Sequence, residues 1–155
     1  MHFIKYDYMV DHYEGTSVFQ DLKQLVGDHD YFIVTSNGDM HFQMNGFDEQ
    51  RLFEVEGNFD NNQNPMPMIQ KQQAKFNAFV QNYRSQNLVV LELGIGADNQ
   101  LIKAPLMRLV AQNVCYHYIT LNLAHEIRIP TTIAQRSIGL VGSIDDNFKE
   151  LFKND

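Results

Sequence analysis

The stretch "NLVVLELGIGADN" constrains the fold most. It is the strongest strand pattern in the chain, and it breaks abruptly into a glycine-containing turn. "KAPLMRLVAQN" follows with helical periodicity, and Pro105 is tolerable in a first turn. "VCYHYITLNL" is then a second strand. A strand–helix–strand order of this kind joins parallel strands through a crossover.

The same alternation runs through the rest of the sequence. "SVFQDLKQLVGD" carries Val18, Leu22, Leu25 and Val26 at helical spacing and stops at Gly27. "YFIVT" reads as a strand apolar on both faces, the kind that parallel sheets bury. "RLFEV" is a shorter strand. A polar loop, "EGNFDNNQNPMPM", leads to the amphipathic helix "IQKQQAKFNAFVQNYRSQ". There Ile69, Phe76, Phe79, Val80 and Tyr83 share a face that reads as core packing. "PTTIAQ" predicts a short helix, "SIGLV" a last strand and "SIDDNFKELF" a closing helix with Asp145 or Asp146 near its positive end. The fold class is therefore α/β: a Rossmann-like layered domain with a mostly parallel sheet, occupying 1–155 as a single domain.

Composition narrows the partners. Twelve Lys and Arg against nineteen Asp and Glu give a formal net charge of −7. That opposes a nucleic-acid backbone or an anionic membrane as the main partner. Hydrophobic residues at 44% and charged ones at 20% fit a soluble globular chain. The single cysteine, Cys115, lies in an apolar run and reads as a buried core thiol in a cytoplasmic protein. The first residues contain no apolar run of secretory type, and no stretch is long enough to cross a membrane.

In an open parallel sheet, ligands bind beyond the carboxyl ends of the strands. Three polar turns fall there: "TSNGD", "GIGADN" and "LNL". Thr35, Asn37 and Asp39 alternate, so an extended backbone puts them on one side. An amide with a carboxylate suits the hydroxyls of a sugar. An Asx turn, in which Asn and Asp bond their own backbone, accounts for them equally well. Gly94 and Gly96 permit close approach to a phosphate or form a tight turn; Asn99 stands where the dinucleotide fingerprint has its third glycine. Among the six histidines no pair has metal-ligand spacing beside a carboxylate, and His41 lies nearest the polar turn.

In combination these blocks resemble the sirtuins, NAD-consuming enzymes with a Rossmann-like fold. "YFIVTSNGDMHF" followed by "GFDEQRLFEVEGNF" is similar to the sirtuin core. "VVLELGIGADNQLIKAPLMRLVAQN", "YITLNL" and "SIGLVGSIDDNF" are similar to its downstream half, most of all in the bacterial macrodomain-linked group. The likeness runs from about Tyr13 to Phe152, apart from the loop after Asn58. It implies NAD or ADP-ribose as cofactor and a protein as acceptor. It places Asn37 at the nicotinamide ribose with Asp39 supporting the same pocket and Thr35 among the cofactor-binding residues, Gly94 and Gly96 at the phosphates or the adenosine ribose, Asn122 at the adenosine ribose and Ile144 near the adenine. Asn37 and Glu56 become the catalytic pair.

The departures set further expectations. The family's first strand and Gly-Ala-Gly phosphate loop have no counterpart, so either "MHFIKY", a second copy or a partner chain completes the sheet, or the fold rearranges. The zinc-binding cysteines are absent, so the loop from Asn58 to Met68 holds no zinc. Ser36 replaces a Gln or Thr, and Ser143 replaces an Asp. Glu56 stands where most of the family has a catalytic His and the macrodomain-linked group a Gln. The resemblance thus implies a truncated, catalytically impaired ADP-ribosyltransferase or deacylase. The alternatives are a non-catalytic nucleotide- or protein-binding module, or one half of a split enzyme.

Overall fold

The computed structural model describes residues 10, 12–61 and 64–154. It has the expected α/β character, with every strand pair parallel. The described residues fall into two compact units, the first reaching Phe79 and the second beginning at Val80. The strands form two sheets, of two and three strands. The possibility that "MHFIKY" completes a sheet concerns residues outside those described.

In the first unit, helix α1 spans Ser17–Val26 and strand β1 spans Ile33–Thr35. Gly27 ends α1, its N–H donating to Lys23 O at 3.0 Å. Helix α2, His41–Met44, is a single turn that periodicity could not reveal. Strand β2, Leu52–Glu54, pairs with β1 in the register Ile33↔Leu52 and Thr35↔Glu54. Helix α3, Met66–Asn82, begins three residues before the expected Ile69. Pro67 falls in its first turn, where a missing N–H leaves no helical bond unmade. The aromatic stripe of α3 packs as expected: Phe76 and Phe79 lie 5.5 and 5.6 Å, centroid to centroid, from Phe32. Phe53 of β2 approaches Phe76 at 6.2 Å. Such pairs add about 0.5–1.5 kcal/mol each beyond their buried area.

The second unit contains β3, Leu88–Leu93, helix α4, Lys103–Gln112, and β4, Tyr116–Asn122. Strand β5, Ser137–Val141, and helix α5, Ile144–Leu151, complete it. The sheet order is β3-β4-β5, with Leu93↔Leu121 and Asn122↔Val141 aligning the carboxyl ends. Val90, Val110, Tyr116, Tyr118 and Ile133 form its buried core. "PTTIAQ" makes a turn and then a short 3-10 segment at Ala134–Arg136. Ser143 caps α5, accepting from Asp146 N at 3.1 Å, so the residue expected in an Asp's place does an Asp's capping work. Cys115 is half-buried, not sunk in the core: it sits just before β4, where the chain is still entering the sheet. Among the described residues no helix is long and apolar enough to cross a membrane.

The core residue Tyr118 carries a pH signature. Burial first, then its hydrogen bond to the Glu92 carboxylate and the charge there, pushes the Tyr118 phenol well above its ordinary value. The unfolded chain therefore loses this proton near pH 10 while the folded chain keeps it. The corresponding stability is fully present below pH ~10 and is lost as pH rises further. A spectrophotometric titration of wild type against Tyr118→Phe should show equal phenolate signal until unfolding, with the extra tyrosine appearing only then. Ionisation of Tyr118 in the folded protein would contradict this.

Candidate functional site

The two strands of the first unit end side by side. Val55 N donates to Thr35 O at 2.9 Å, continuing the ladder one step beyond β2. Each chain then turns. Thr35 Oγ1, buried, accepts from Asn37 N at 3.0 Å and folds the backbone back. Asp39 Oδ1 accepts from His41 N at 3.1 Å and starts α2. Asp39 Oδ2 also lies 3.5 Å from His41 Nδ1, and the His41 ring stacks on Tyr13 at 3.9 Å. Thr35 and Asp39 thus carry the turn chemistry that was one of the two sequence readings. Asn37 is exposed, and its side chain has no hydrogen-bond partner among the described residues.

The turn after β2 meets this one closely. Phe59 N donates to Gly38 O at 3.0 Å. A Cβ on Gly38 would sit 2.9 Å from Gly57 O and 3.1 Å from Asn58 Cα, so only glycine fits. Gly57 has φ 82°, and a Cβ there would lie 2.7 Å from the Pro65 ring. Between the turns lies a cavity of about 280 Å³ lined by Ser36, Gly38, Glu56, Gly57, Asn58, Phe59 and Pro65. Glu56, exposed, and the turn that carries Asn37 therefore share one hollow.

Beneath it lies a residue that the sequence reading passed over. Glu54 is 1% exposed at the end of β2. Its Oε2 accepts from Asn58 Nδ2 at 2.8 Å and Gln72 Nε2 at 3.1 Å, and its Oε1 accepts from Gln43 Nε2 at 3.0 Å. Gln72 Oε1 in turn accepts from Glu54 N at 2.9 Å. Three amides replace the water that the carboxylate gave up. Through Asn58 this network fixes one wall of the cavity. The signal was a Glu inside an apolar strand followed by the amides of "EGN" and "QKQQA", which alternation alone does not link.

The second unit gathers the other candidates at its own strand ends. Gly94 N donates to Leu121 O at 3.0 Å, and a Cβ on Gly94 would lie 3.5 Å from Ile144 Cδ1. Gly142 N donates to Asn122 O at 3.1 Å. Asn122 is buried with both ends of its amide engaged: Nδ2 donates to Ile95 O at 2.7 Å and Oδ1 accepts from Leu123 N at 2.9 Å. Gly94, Asn122 and Ile144 therefore belong to one rim, where Asn122 holds the turn and Gly96 is exposed. Asn99 Oδ1 accepts from Ile102 N at 2.7 Å and Lys103 N at 3.2 Å, so the side chain that stands in the third glycine's place ties the turn to the start of α4.

No protein-family profile matches the chain. It is similar to a protein from Staphylococcus aureus named "Protein ADP-ribosyltransferase", with 32% identity over 82 residues. The match takes in 52% of this chain and 26% of that protein, so the chain spans about a quarter of the relative's length.

The close turn-to-turn packing gives a direct prediction. Gly38→Ala should lower stability by about 1–3 kcal/mol, because backbone atoms, unlike side chains, cannot swing away from the new methyl. Urea unfolding of the two proteins measures it, and an unchanged midpoint would contradict the close approach.

Proposed function

We propose that this chain is an ADP-ribosyltransferase-type domain of sirtuin character that takes NAD or ADP-ribose at its strand-end turns. The observation that supports the reading is the cavity of the first unit, which Glu56 lines together with Ser36 and Gly38, the neighbours of Asn37. The similarity to the Staphylococcus aureus protein supports the same class.

In this reading Thr35 and Asp39 hold the turn, and Asn37 orients the nicotinamide ribose or the attacking group. Taken by itself, the second unit offers Gly94 and Gly96 to phosphate or ribose oxygens, with Asn122 shaping that turn and Ile144 an apolar surface beside it. The chemistry is displacement at the anomeric carbon. The bond from C1′ to the nicotinamide nitrogen breaks, nicotinamide leaves with the electron pair, and positive charge develops on the ribosyl group. A protein side-chain or acyl oxygen then forms the new bond to C1′. Glu56 faces that charge and takes a proton where the acceptor carries one; a positioned base of this kind contributes about 10²–10⁴-fold.

One observation favours a second reading, a module that binds ADP-ribose without chemistry. Glu56 is exposed, and water weakens its hold on a nearby cation. The two readings part in one experiment. Nicotinamide release from NAD is measured for the wild type, Asn37→Ala and Glu56→Gln, beside the melting temperature with millimolar ADP-ribose. Release that falls by about 10²-fold in Glu56→Gln supports the transferase. Background release with a raised melting temperature supports the binding module. Background release and no shift overturn both.

A further inference from the structure

The second unit buries an ion pair that the proposed chemistry does not use. Lys103, 2% exposed, stands in the first turn of α4 and Glu92, 4% exposed, near the end of β3. Lys103 Nζ donates to Glu92 Oε1 at 3.0 Å, Ile95 O at 3.3 Å and Glu126 O at 3.1 Å. Glu92 also accepts from Thr120 Oγ1 at 2.9 Å and from the Tyr118 hydroxyl. Every ammonium hydrogen has a partner, and the two carbonyls belong to different loops, one after β3 and one after β4.

Stability alone is a poor reason for such a pair. Two buried charges lose their hydration, and apolar residues of similar volume often do as well or better. What apolar residues cannot do is donate to carbonyl oxygens. Ile95 O receives two donors, Lys103 Nζ and Asn122 Nδ2, both from inside the protein. In a planar trans peptide the next N–H points the opposite way. Pinning Ile95 O inward therefore turns the Gly96 N–H outward, and that group has no partner among the described residues. Gly96 is exposed, and no side chain of its own stands in front of the amide. Glu126 also holds the same loop, its Oε2 accepting from Ala97 N and lying 3.7 Å from where a Cβ on Gly96 would stand.

We propose that Lys103, held by Glu92, is a positioning residue that sets the Ile95–Gly96 peptide and presents the Gly96 amide to an oxygen of the ligand. The ligand's identity, ADP-ribose, rests on the function proposed above; the positioning role does not.

The test uses the full chain with Lys103→Met, and with Glu92→Gln/Lys103→Met so that no carboxylate is left buried without its cation. Amide exchange is followed at Ala97 and at Val90 and Tyr118 in the strands, and ADP-ribose is titrated against the Gly96 amide resonance. In the folded variants, Ala97 should exchange about tenfold faster or more while Val90 and Tyr118 stay as in wild type. ADP-ribose affinity should fall by about fivefold or more, because the donor is no longer preorganised. Unchanged exchange at Ala97, or equal acceleration throughout β3 and β4, would overturn the positioning role. A wild type that binds no ADP-ribose would instead remove the functional reading, and the exchange result would still decide the role of Lys103.

Discussion

Each unit of this chain sinks one carboxylate beneath the turns at the carboxyl ends of its parallel strands, and the candidate surfaces depend on those two groups. Glu54 is solvated by three side-chain amides and Glu92 by an ammonium, a phenol and a hydroxyl. A carboxylate in an apolar interior is costly unless donors surround it, so its presence forces those donors into fixed places. Asn58 is thereby held at the cavity of the first unit, and Lys103 at the loop of the second. The strands end where their ladders end; these networks decide what shape the ends take.

The same logic settles a tension at the polar turns. Turn chemistry and ligand recognition were competing explanations for the same residues. The structure divides the work: Thr35, Asp39, Asn99 and Asn122 spend their polar atoms on neighbouring backbone, whereas Asn37, Glu56 and Gly96 are exposed. A turn built this way is rigid before any ligand arrives, which lowers the ordering cost of binding.

Much of the fold was legible because it follows periodicity. The alternation of apolar strands with amphipathic helices locates each strand found among the described residues, and the Phe76 and Phe79 stripe packs as that pattern implies. The start of α3 was misplaced because Pro67 reads as loop although it suits a first turn. The single turn of α2 is shorter than any period. The division of the strands between two sheets was beyond the pattern as well, since pairing partners are not written in a strand's own residues. For the site, the residues came from the resemblance and the turns, but their support did not. Gln43 and Gln72 meet Glu54 across 11 and 18 positions, a distance no local pattern spans, and Asn58 reaches back to it across a turn. Lysines at the start of a helix are mostly exposed, yet Lys103 is buried, donating to carbonyls of two loops.

The central claim is that the hollow between the turns after β1 and β2 receives a nucleoside sugar. A nitrogen-15 correlation spectrum of the chain, recorded as ADP-ribose is added, tests it most directly. The account predicts saturable shifts at the amides of Ser36, Gly38 and Glu56 through Phe59, which line the hollow, and at Asn37 between the first two. Saturable shifts confined to other parts of the chain, with these amides unmoved, would contradict it.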